Sequence, residues 1–145
     1  MLILDTNVIA EFMKPTVNDS VKEWLNDQAI ETLYLTSVTV AELSYGVEAL
    51  EDGRRRNRLR QLLNSVTELF DGRILPFSHV SAQHYGRMSA DARRRGRTLS
   101  IPDAYIAAIA LASSYAVVTR DSTPFRNAGV VVIDPWNSST ELNRL

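Results

Sequence analysis

The chain contains no cysteine. Disulfides, thiolate metal sites and cysteine nucleophiles are thereby removed together, and a reducing cytoplasm is compatible with what remains. Lysine is nearly as scarce, with Lys14 and Lys22 alone and none later in the chain. No glycine-serine or proline-rich stretch offers a joint between domains, so one domain over residues 1–145 is expected. Long apolar runs are also missing. The longest uncharged segment, residues 104–119, stops short of the ~20 residues a spanning helix needs and includes Ser113 and Ser114. It reads as a buried helix followed by a strand. Residues 1–4 meet Asp5 at once, which leaves no signal-peptide pattern and predicts a cytoplasmic protein.

A hydrophobic content of 45% and a net charge of −1 are those of an ordinary soluble globular chain. The distribution of charge is less ordinary. Arginines gather at Arg54, Arg55, Arg56, Arg58 and Arg60, and again at Arg93, Arg94, Arg95 and Arg97. Such clusters guide polyanions, or simply form solvated helix faces. The first cluster sits at the amino end of a helix expected over residues 56–70, where the helix dipole favours anions, so helix stability does not explain it. The second lies near a helix end where cations are favoured anyway.

Apolar periodicity divides the chain into alternating strands and helices. Strands are expected at residues 2–4, 33–36, 74–77, 116–119 and 130–133, with Pro76 pointing to an edge position for the third. Helices are expected through Val8, Ile9 and Phe12, broken at Lys14-Pro15, then through Val17, Val21, Trp24 and Leu25. Others follow over residues 37–50, 56–70, 81–96 and 100–114, with a short turn at Thr123-Pro124-Phe125. The alternation predicts an α/β fold whose central parallel sheet of about five strands is flanked by helices in three layers.

Four acids stand out against this pattern. Asp5 and Asp121 follow strands, while Glu42 and Asp103 lie in the early turns of helices. A parallel sheet collects functional groups at the carboxyl ends of its strands, so the four can share one crevice. Two carboxylates ~5 Å apart repel by roughly 3 kcal/mol at an effective dielectric of 20, and a cluster therefore calls for a cation or protons. Mg²⁺, or Mn²⁺ in its place, suits an all-oxygen donor set. A plainer reading competes for each residue. Thr39 with Glu42 and Ser100 with Asp103 match capping-box spacing or its acidic variant, Asp5 is placed to cap the first helix, and Asp121 to open a turn. The common placement at one sheet edge favours a shared site.

The blocks around these acids carry a resemblance. Met1-Leu2-Ile3-Leu4-Asp5-Thr6-Asn7-Val8-Ile9, Thr39-Val40-Ala41-Glu42-Leu43 with Gly46, Ile101-Pro102-Asp103-Ala104-Tyr105-Ile106-Ala107-Ala108, Thr119-Arg120-Asp121 and the ending Gly129-Val130-Val131-Val132-Ile133-Asp134-Pro135-Trp136 resemble the signature blocks of PIN-domain ribonucleases. The similarity is greatest to VapC toxins of type II toxin-antitoxin pairs, the FitB-like group in particular. It implies a PIN fold, a divalent-metal-dependent endoribonuclease and a cognate VapB-type antitoxin. A homodimer is implied too, joined with antitoxin on operator DNA in a larger complex. Carried onto this sequence, the family's catalytic and metal-binding quartet falls on Asp5, Glu42, Asp103 and Asp121, and its supporting hydroxyl on Thr119. Thr6 and Arg120 are further candidates for support of the substrate. Arg54, Arg55, Arg56 and Arg58 are candidates for contacts with RNA or antitoxin.

Rival functions fare worse. Receiver-type phosphoacceptor domains use a lysine late in the chain, and none follows Lys22. Dehalogenase-like phosphatases meet the same objection and would need an aspartate where Asn7 stands. A non-catalytic binding module with a PIN-like fold is the remaining alternative, and the complete quartet argues against it. His79 and His84, five apart, do not match paired helical ligands and read as structural. Trp24 and Trp136 read as packing residues.

Overall fold

The computed structural model describes residues 1–137. Each apolar run expected to form a strand does so: β1 is Leu2–Leu4, β2 Leu33–Thr36, β3 Ile74–Leu75, β4 Ala116–Val118 and β5 Val132–Ile133. They form one sheet in the order β3-β2-β1-β4-β5, and every pairing is parallel. The two edge strands are shorter than their sequences suggest. Pro76 has no amide hydrogen to extend β3, and Val131, at the entry to β5, is 70% exposed.

Seven α-helices are found among the described residues: α1 (Thr6–Phe12), α2 (Asp19–Asn26), α3 (Ser37–Glu48), α4 (Arg54–Leu69), α5 (His79–Arg94), α6 (Ile101–Ser113) and α7 (Ser122–Asn127). Their starts are set by side-chain caps. Asn18 caps α2 and leaves Val17 outside it, while Ser78 rather than Ser81 opens α5 by accepting the Ser81 amide. A short 3-10 turn, Ile30–Thr32, leads into β2 and was not expected from periodicity. Ser114 ends α6 in the left-handed region at φ 57°, the conformation that closes a helix without further turns.

Strand residues alternate between two cores, as the period of a β-strand requires. Ile3 and Val117 face one side, packed with Ile106, Ala107, Ile109, Ala110 and Phe125. Leu4 and Val118 face the other, packed with Val8, Ile9, Leu35, Leu43, Leu63 and Phe70. Helix α6 is apolar nearly all round because it lies in the first core, with Ile106 through Ala110 almost fully buried. Trp24 and Trp136 pack against the second core, as packing residues should.

The strand order has a consequence for the site. From β1 the chain builds outward through β2 and β3, and then returns to β4 on the other side of β1. The connections leaving β1 and β4 thus lead to opposite sides of the sheet, which makes their carboxyl ends the switch point where open parallel sheets place functional groups.

Candidate cation-binding site

Asp5 leaves β1 and caps α1, as the capping reading of this residue expects. Its Oδ1 accepts the Thr6 amide at 2.8 Å, and its Oδ2 accepts the Thr119 hydroxyl at 2.8 Å. Thr119 follows β4 and is fully buried. Its oxygen in turn accepts the Asn7 side-chain amide at 3.0 Å and the Asp121 backbone amide at 3.1 Å. Asn7 completes the link by accepting the Arg120 amide on Oδ1 at 3.3 Å. The turn after β1 and the segment after β4 are thus tied together by side chains.

Glu42 reaches the same place from α3. Thr36, not Thr39, caps that helix, accepting the Thr39 amide at 3.1 Å, so Glu42 sits a turn beyond the cap and the expected Thr39–Glu42 capping box does not form. Glu42 Oε1 accepts the Thr6 hydroxyl at 2.8 Å instead. Asp103 does occupy the first turn of α6, where Ser100 accepts its amide at 3.3 Å. That bond uses the backbone of Asp103, and the Ser100 hydroxyl acts on its carboxylate as well. Asp121 precedes α7, and its side chain makes no capping bond.

The electrostatics connect these positions. Burial pushes the Asp5 carboxyl up to about 6, opposed by the Thr119 hydroxyl and Thr6 amide, with smaller upward contributions from Asp103 and Glu42. Asp103 is also raised, by burial first, with Asp121 adding to it and Ser100 opposing. Each acid of the quartet therefore feels at least one other. Among the described residues, no three Asp, Glu or His side chains stand close enough as a group to hold a metal ion as they lie. The carboxylates interact in pairs, and separation lowers their mutual repulsion.

The donor set fits a hard divalent cation. It is all oxygen, it is centred on a carboxylate whose charge is poorly solvated, and neither thiol nor imidazole competes. A hollow of about 450 Å³ adjoins Glu42, lined also by Val38, Tyr45, Ile101, Pro102 and Tyr105.

The remaining candidates are dispersed. Thr6 supports Glu42, as its bond shows. The Arg120 guanidinium lies over the Trp136 ring at 5.2 Å, and its charge reaches Glu11. Arg56 pairs with Asp52 at 2.7 Å, and Arg60 makes two 2.7 Å bonds to Glu48. Arg55 and Arg58 line a separate cleft of about 330 Å³ with Lys14. His79 is exposed on α5 beside Gln83.

Two residues in this region escaped sequence reasoning. Asn7 lies within the first signature block but no local pattern assigns it a role, and its polar contact to Thr119 spans 112 positions. Glu11 is a buried acid on α1 that accepts Lys14 at 2.7 Å and the Asn18 amide at 2.9 Å, which hold its carboxyl below the usual range. The one available signal was an acid at the helical spacing of buried neighbours.

Comparison with known proteins identifies the family of the chain. Residues 2–130 match the PIN domain family. A protein named VapC ribonuclease, from Sinorhizobium fredii, is 42% identical, with 94% of this chain and 98% of the relative covered. Toxin FitB of Neisseria gonorrhoeae is also 42% identical, over 94% of this chain and 99% of its own. The solved FitAB complex bound to a DNA fragment superposes with a TM-score of 0.90 at 40% identity, covering 94% of this chain and 96% of that one. The family match over residues 2–130 and the near full-length relatives make the chain a member of the PIN-domain family.

Proposed function

We infer that this chain is a divalent-metal-dependent endoribonuclease acting as the toxin of a type II toxin-antitoxin pair, with Asp5, Glu42, Asp103 and Asp121 as its cation-binding and catalytic face. Near full-length similarity to a ribonuclease and a toxin supports the activity. The observation that carries the site is the polar link from Asp5 through Thr119 to the Asp121 amide, which joins the two loops of the sheet's switch point.

Mg²⁺ is the expected ion, with Mn²⁺ able to replace it, held by Asp5 and Asp103 with Glu42 and Asp121 completing the set. A bound divalent cation supplies positive charge against the scissile phosphate and lowers the pKa of attacking water. The protein's share is orientation. Asp5, fixed through both oxygens, is the rigid anchor of the set. Thr6 holds Glu42, and Thr119 holds Asp5, so neither acid is free to rotate away from the crevice. Glu42 and Asp121 are open enough to solvent to take up a proton released from water. No side chain need become a covalent nucleophile.

RNA phosphates or an antitoxin segment are met by Arg54, Arg55 and Arg58, with Arg56 held back by Asp52 and Arg120 poised over Trp136. The partner is a VapB-type antitoxin, in line with the related complexes, and operator DNA joins through it. A homodimer, a single PIN unit spanning residues 1–145 and a cytoplasmic site of action complete the proposal. No helix among the described residues is long and apolar enough to cross a membrane.

The test is cleavage of labelled RNA by purified protein with Mg²⁺, Mn²⁺ or a chelator, beside Asp5→Asn. Product should require the ion and vanish in the variant. Cleavage that survives the chelator, or undiminished activity of Asp5→Asn, sinks the assignment.

A further inference from the structure

Asn7 is no acid, yet it touches the hydroxyl that joins two of them. The orientation of its amide is fixed by chemistry: the Arg120 backbone N–H can only donate, so Oδ1 faces it and Nδ2 faces Thr119. The Thr119 oxygen has two lone pairs and one proton. Asn7 Nδ2 at 3.0 Å and the Asp121 amide at 3.1 Å take the lone pairs. One direction is left for the proton, toward Asp5 Oδ2 at 2.8 Å. Thr119 is fully buried, so water offers no competing partner.

We propose that Asn7 is a positioning residue of the cation-binding face, setting the direction of the Thr119 hydroxyl and tying the segment that carries Asp121 to the turn that carries Asp5. The inference builds on the assignment of those two acids to that face. Asn7 acts at both ends of its amide. Through Nδ2 it leaves the Thr119 proton no option but Asp5, and through Oδ1 it holds the Arg120 amide next to Asp121. Asp5 and Asp121 lie 116 positions apart in sequence, and no backbone pairing connects their side chains. The β1–β4 pairing registers the two segments as far as the Asp5 amide on the Val118 carbonyl at 2.9 Å, and the Asn7 side chain extends that registration to the Arg120 amide beside Asp121. Outer hydrogen-bond partners of metal-binding side chains characteristically govern affinity or activity by 10–100-fold when removed.

The experiment is a double-mutant cycle on the whole chain: Asn7→Leu, which keeps the shape of asparagine without its polar atoms, Thr119→Val, the two combined, and Thr119→Ser. Mn²⁺ affinity is measured by calorimetry on protein stripped of metal, steady-state RNA cleavage gives kcat and KM, and circular dichroism monitors folding. Asn7→Leu and Thr119→Val should each weaken Mn²⁺ binding about 10–100-fold and lower kcat, with KM for RNA changed about twofold or less. Because the Nδ2 half of Asn7 acts through Thr119 while the Oδ1 half acts on the Arg120 amide, the loss in the combined variant should exceed that of Thr119→Val but fall short of the product of the two single losses, and Thr119→Ser should stay close to the parent. Parental Mn²⁺ affinity in Asn7→Leu, or losses that multiply in the combined variant, overturns the inference alone. A parent that neither binds Mn²⁺ nor cleaves RNA overturns the site assignment and this inference together. Should Asn7→Leu fail to fold, Asn7→Ala removes the same two bonds and carries the same expectation.

Discussion

The Thr119 hydroxyl donates to Asp5 Oδ2 across 2.8 Å, a bond between residues 114 positions apart that ties the carboxyl end of β4 to that of β1. It lowers the cost of a buried carboxylate without cancelling it, since Asp5 still rises to about 6. The site is thus held under electrostatic load, and that load is measurable.

The first consequence concerns pH and stability. Asp5 moves from its ordinary 3.8 to about 6 on folding, so its charged form is disfavoured in the native state. Folding stability from this group is greatest below pH ~4, declines as pH rises toward ~6 and is lost above it, a difference of about 3 kcal/mol. Urea unfolding of the metal-stripped protein should therefore lose about 2 kcal/mol of this difference between pH 4.5 and pH 7 relative to Asp5→Asn. Added Mn²⁺ should restore it at pH 7. Parallel pH profiles for parent and Asp5→Asn would exclude the assignment of that load to Asp5.

Thr6 holds Glu42 through a single hydroxyl at 2.8 Å. Thr6→Val preserves the shape and removes the donor, so Glu42 gains rotational freedom. RNA cleavage should drop about 10-fold or more while the melting curve changes little, and Thr6→Ser should recover the parental rate. Equal rates for valine and serine at this position would show that the bond is idle.

Glu11 fastens the turn between α1 and α2 rather than the site. Glu11→Ala deprives the Asn18 amide and Lys14 of their acceptor, at a cost of about 1–3 kcal/mol. Thermal denaturation should record that loss, and Mn²⁺ affinity should be unaffected. A change in affinity without a change in stability would instead place Glu11 in the site.

Phe125 is fully buried in the core beneath α7. Truncation to alanine leaves a cavity and should cost about 3–5 kcal/mol in chemical denaturation. Because α7 begins just after Asp121, activity should fall along with stability in this variant. A loss of less than about 1 kcal/mol would mean that the helix collapses onto the gap.

Much of this protein was determined by local sequence. The apolar runs of β1, β2 and β4, the helical spacing of α3 and the nearly uncharged α6 declare themselves because burial on both faces of a parallel sheet demands continuous apolar stretches. The four acids are visible for a related reason: each interrupts such a pattern at the end of a strand or the start of a helix. Tertiary structure decided the rest. Whether Glu42 would serve a capping box depended on Thr36 taking the cap, which frees Glu42 for Thr6 on another helix. The lengths of β3 and β5 depended on their positions at the sheet edges, where a partner is present on one side only. Asn7 acquires its role from Thr119 and Arg120, far along the chain, and hydrogen-bond direction is a property of atoms brought together in space that no local pattern records.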